Sequence, residues 1–152
     1  MLITKRRFLK RTTWFLLFFL LMAFLGACGG DSGGDVSTID PDQLAVGKQL
    51  YDANCAACHG LKGEGQPDWK VPVKGVYPAP PHDKSGHTWH HPDQVLLEVI
   101  ARGGSLPNSA MPAYADILSP EESVAVLEYI KTFWGRQERE YQAQLTRQSA
   151  ER

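Results

Sequence analysis

No apolar run in this sequence reaches membrane-spanning length. Trp14 to Ala27 is apolar and uncharged for about 14 residues, against the roughly 20 that a spanning helix needs. There are no internal repeats, which removes solenoids and propellers, and no period-2 alternation, which leaves no case for a sheet. Basic charge is also scarce once the N-terminus is set aside. Residues 1–27 hold five of the 16 Lys and Arg and none of the 17 Asp and Glu, so the remainder carries 11 against 17, a net charge near −6. Nucleic-acid binding, which calls for a basic face, therefore has no support. An acidic surface suits a partner with a positive docking patch.

What is present at the N-terminus is an export signal. Lys5, Arg6, Arg7, Lys10 and Arg11 precede the apolar run, the layout of a signal peptide over residues 1–27. An uncleaved anchor is the alternative. The run ends in Leu25-Gly26-Ala27-Cys28, which resembles the lipobox of bacterial lipoproteins and implies a lipid on Cys28. Such a chain is expected to face the periplasm or the outer side of the cytoplasmic membrane, held to the bilayer by its acyl groups. Gly, Ser and Asp dominate the next ten residues, so residues 28–39 read as a flexible tether with a reach of roughly 17 Å.

Asp40-Pro41 opens a helix, with aspartate as N-cap and proline where a missing N–H costs nothing. Leu44, Gly47, Leu50, Tyr51 and Asn54 follow at helical spacing, and the helix should end at about Cys55. Pro67, Pro72, Pro78, Pro80, Pro81 and Pro92 then fall within a long irregular stretch, which needs something to fill its interior. A second helix starts at Pro92 with Val95, Leu96, Val99 and Ile100 as its apolar face, and Gly103 stops it. Ser119-Pro120-Glu121-Glu122 is a capping box that starts a third, with Val124, Leu127, Tyr129, Ile130, Phe133 and Trp134 turned inward. Residues 136–152 turn polar and read as a solvated, fraying helical extension of the domain at 40–135.

Chemistry concentrates in Cys55-Ala56-Ala57-Cys58-His59. Two cysteines three apart can each add across a vinyl group of haem, and the adjacent histidine is then aimed at the iron. A thioredoxin-like pair needs a βαβ context that is not visible. A zinc site needs two more ligands, which only histidines remain to supply, and a disulfide is open to any exported chain. Haem attachment suits export and the irregular surroundings together, and with Cys28 lipidated it leaves no cysteine over. Met111 is the one methionine outside residues 1–27. Placed before Pro112 in a loop, it reads as a thioether ligand opposite His59, the alternative being a core filler.

The Cys-Ala-Ala-Cys-His motif, the Met-Pro-Ala-Tyr segment at 111–114 and the helix Leu127-Glu128-Tyr129-Ile130-Lys131-Thr132-Phe133 together resemble the class I cytochromes c from about Pro41 to Trp134. The resemblance implies an all-α cytochrome c fold, three main helices with long loops around one covalent haem c. It implies that Gly47 lets Tyr129 approach, and that the Pro80 carbonyl, or that of its neighbour Pro81, accepts the proton of the axial histidine. Its function would be single-electron transfer with His59 and Met111 filling both axial positions, in a monomer that is not an enzyme. Its partners would be redox proteins of a membrane-bound chain.

Departures from the pattern are the polar tail and an insert, residues 82–91, holding four of the five histidines. His82, His87, His90 and His91 could bind copper, as in a metal-handling lipoprotein, or one could replace methionine on the iron. They could instead cover the haem edge and its carboxylates, with Trp89 as the donor. An open sixth position would suit a haem sensor or a peroxidase-like enzyme.

Overall fold

The computed structural model describes residues 40–104, 106 and 108–152. Five α-helices are present among them: α1 Pro41–Asn54, α2 Ala56–His59, α3 Asp93–Arg102, α4 Pro120–Lys131 and α5 Arg136–Ala150, with a 3₁₀ turn at Thr88–His90. Isolated bridges join Val73 to Val76 and Tyr77 to Ser109, and no strand forms among the described residues. None of these helices is long and apolar enough to cross a membrane. The expected signal peptide, Cys28 and the expected tether at 28–39 lie outside the described residues.

Two of the three expected helices start as their caps dictate. Asp40 accepts the Asp42 N–H at the head of α1. At α4, Ser119 and Glu122 exchange hydrogen bonds at 3.2 and 2.8 Å, a full capping box of the kind whose loss costs about 1 kcal/mol. At α3 the expected start is displaced by one residue, since Pro92 is extended and serves as N-cap without a side-chain bond. The Thr146 hydroxyl accepts the Asp93 N–H in its place, at 3.1 Å.

The core is Tyr51, Leu96, Ile100, Leu118, Val126, Leu127, Ile130 and Trp134. Two inward assignments are corrected here. Val126, not Val124, is fully buried on α4, and on α3 Leu96 and Ile100 are buried while Val95 is exposed. Helix α1 packs chiefly on α4, and the crossing is at Gly47. A Cβ there would collide with the Ala125 carbonyl and come within 3.2 Å of the Tyr129 Cβ, so the close approach that glycine permits is realised. Tyr51, Tyr129 and Phe133 then form a mutual aromatic cluster, with ring centroids 5.1 to 5.4 Å apart.

The expectation of a solvated, fraying tail is also corrected. Helix α5 packs on the 3₁₀ turn, and its Gln142 is only 2 % exposed. The Gln142 amide donates to His91 O, Asp93 Oδ1 and Thr146 Oγ1. A polar composition hid this docking, because the contact is a hydrogen-bond network and not an apolar stripe.

Candidate haem-binding site

Cys55 closes α1, its N–H donating to Tyr51 O at 2.8 Å. The chain re-enters a single helical turn, α2, that carries Cys58 and His59. The Tyr51 hydroxyl donates to Gly60 O at 3.0 Å and the Tyr114 hydroxyl to Asn54 O at 2.6 Å, so both ends of the motif are pinned. Sequence reading placed neither tyrosine hydroxyl in this role, because a tyrosine at helical spacing carries no sign of where its hydroxyl ends.

Burial splits the two thiols. Cys58 is exposed, whereas Cys55 is half-buried and packs on the core. Burial, and then the nearby Cys58, push the Cys55 thiol up to about 11.

His59 is buried and its Nδ1 lies 2.8 Å from Pro80 O. A carbonyl can only accept, so Nδ1 carries the proton and Nε2 keeps its lone pair. Burial lowers the pKa of this imidazole, with the Pro80 bond opposing in part, which favours the neutral ring that a metal ligand requires. The Pro80 carbonyl, not that of Pro81, is thus the partner of His59. Its loop is held by Gly65, at φ +67°, where a Cβ would approach Pro80 C to 2.7 Å.

Met111 is half-buried and packs on the same core as Cys55 and Trp89. Its loop is tied down by Met111 N–H to Ser109 Oγ and Gly104 N–H to Met111 O, both at 3.2 Å. Three candidates remote in sequence therefore meet one core.

The histidine insert does not act as a unit. His82 is buried with its ring stacked on His59, centroids 3.9 Å apart and planes at 17°. His87 stacks on Trp69, His90 lies against Trp89, and His91 meets His87 edge-on. Among the described residues no three His, Cys, Asp or Glu side chains are grouped as metal ligands.

Haem c fits these residues. Beside Pro80 lies a cavity of about 260 Å³ lined by Trp69, Lys70, Tyr77, Pro78, His87 and Leu106. Tyr77 and Leu106 of this lining expose 41 and 53 % of their surface, and Val71, Val73 and Val76 of the same loop are also exposed, apolar side chains of the sort that mark a binding surface. Among the described residues the buried Trp89 Nε1 has no hydrogen-bond partner, so it is a donor with capacity to spare.

Comparison with known proteins agrees. Residues 44–134 match the family model described as cytochrome c. Chloroplastic cytochrome c6 of Chlamydomonas reinhardtii is 36% identical over 87 residues, 57% of this chain and 52% of the relative. The quinohemoprotein alcohol dehydrogenase ADH IIB of Pseudomonas putida is 30% identical over 116 residues, 74% of this chain and 14% of the relative. Subunit CcoP of the cbb3-type cytochrome c oxidase of Azospirillum sp. (strain B510) is 30% identical over 96 residues, 63% of this chain and 30% of the relative. The chain thus spans about half or less of the length of these relatives. The chain therefore belongs to the cytochrome c family, and its single Cys-x-x-Cys-His motif makes it a mono-haem class I member with haem c bonded through Cys55 and Cys58.

Proposed function

We propose that this protein passes single electrons between redox proteins of a membrane-bound chain, with His59 and Met111 as the axial ligands of its haem and Cys28 as a lipid anchor. When bound, haem c supplies a one-electron Fe(III)/Fe(II) couple, and a thioether opposite an imidazole favours the reduced state. The observation that carries the ligation is the His59–Pro80 bond at 2.8 Å. It fixes the tautomer with Nε2 unprotonated and gives the ring the support that metal-bound histidines receive from outer partners.

Each other residue has a defined part. Cys55 and Cys58 hold the porphyrin through thioethers, Cys55 from the core side and Cys58 from the surface. Pro112 follows Met111 and stiffens the loop that presents its sulfur. Trp89 donates its free Nε1–H to a haem carboxylate. With both axial positions taken, no substrate reaches the metal, so the protein is a carrier and not an enzyme. The anchor and tether keep the domain beside its partners. Relatives named as an oxidase subunit and a quinohaem dehydrogenase support donors and acceptors of that kind.

The test is the optical spectrum of protein matured with its haem-attachment machinery. Pigment should stay with the denatured chain, and the sulfur-to-iron charge-transfer band should vanish in Met111→Ala while the covalent haem remains. Survival of that band would remove Met111 from the iron, and rapid stoichiometric binding of carbon monoxide by the wild type would favour an open sixth position.

A further inference from the structure

His59 is gripped twice by one short stretch of loop. The Pro80 carbonyl takes its Nδ1 proton, and two residues later the His82 ring lies nearly parallel on its face. A single hydrogen bond fixes where Nδ1 points. Together with the covalent tether at Cβ it restricts the ring, but it supports neither face against small rotations of the plane. A flat group stacked against the face removes the remaining freedom.

His82 is built to be such a plate. Its N–H donates to Gly63 O at 2.7 Å, its carbonyl accepts from the buried Trp134 Nε1 at 2.7 Å, and the Tyr51 ring stands 5.9 Å from its own. The side chain is 9 % exposed. Its Nδ1 is buried with no partner among the described residues, which costs stability. An aliphatic side chain of similar bulk would fill the space without that cost but would not present a plane.

We propose that His82 is a positioning residue that sets the plane of the His59 imidazole by stacking on it. The inference rests on His59 being the axial ligand. It goes beyond that ligation by saying what fixes the ring's rotation, which governs how the axial ligand splits the iron orbitals.

The experiment uses the matured, oxidised holoprotein. His82→Leu keeps bulk and loses the plane, while His82→Phe keeps a plane. The low-spin ferric electron paramagnetic resonance g values and the haem-methyl proton shifts report ring orientation directly, and thermal unfolding is followed alongside. His82→Leu should change the g-value spread and the spacing of the methyl signals, and His82→Phe should hold both near wild type even where it alters thermal stability. Wild-type signals in His82→Leu, or equal displacement in the two variants, would overturn the proposal. Should His82→Phe fail to mature, Trp134→Phe, which frees the His82 carbonyl, should move the same signals in the direction of His82→Leu. No movement in either would also overturn it. Absence of any two-ligand low-spin signal in the wild type would be a failure of the axial assignment itself, and is distinguishable on that ground.

Discussion

Gly47 and Ala125 meet where α1 crosses α4, so closely that the glycine has no room for a methyl group against the alanine carbonyl. The obstacle is backbone within a helix, which cannot swing aside as a side chain can. Gly47→Ala must therefore push the helices apart or distort one of them. The expected loss is about 1–3 kcal/mol or more, as for overpacked cores, measured as a lowered denaturant midpoint of the matured protein. A midpoint within experimental scatter of wild type would mean that the crossing is looser than described.

Docking of α5 rests on Gln142, whose amide serves His91 O, Asp93 Oδ1 and Thr146 Oγ1 from a buried position. Gln142→Ala removes the donor from three part-buried acceptors and should cost about 1 kcal/mol. Gln144→Ala, on an exposed position of the same helix, should stay within about 0.5 kcal/mol. Equal unfolding free energies for the two variants would show that the tail contributes nothing through this network.

These two sites also mark what was legible in the chain. Caps, glycine stops and the Cys55-Ala56-Ala57-Cys58-His59 spacing are local chemistry, and the helix starts at Pro41 and Pro120 followed from them directly. Gly47 was legible only through resemblance, because a glycine in a helix does not announce what lies against it. Gln142 was not legible at all. Two of its three partners sit about 50 residues away, and in the sequence it is one polar residue among many. His82 was hidden for a related reason, being grouped by proximity with His87, His90 and His91 although its ring stacks on His59 instead.

Trp89 offers a buried Nε1–H that no atom of the described residues accepts. If that proton is held by a haem carboxylate, the bond favours the ionised carboxylate and lowers its pKa. Trp89→Phe keeps most of the packing against His90 and Tyr141 and deletes the donor. The inflection in reduction potential with pH that reports this carboxylate should then move to higher pH, as read by redox titration across the pH range. An unmoved inflection would assign the Trp89 proton elsewhere.

Burial, with His59 and His87 adding to it, holds the His82 pKa well below its ordinary value of 6.5. The unfolded chain therefore binds a proton at His82 below about pH 6.5 that the folded chain refuses. Stability from this group is complete above pH 6.5 and is lost as the pH falls toward the folded pKa, at up to about 1.4 kcal/mol per pH unit. Urea unfolding of the matured protein between pH 7.5 and 5 should show this slope, beginning near the ordinary histidine pKa. His82→Leu cannot take up the proton, so its curve should be flatter by that one-proton contribution and should approach or cross the wild-type curve at the acid end. Parallel curves would mean that the His82 ring is protonated as easily in the folded protein as in the unfolded chain, and would overturn the assignment of a lowered pKa to it.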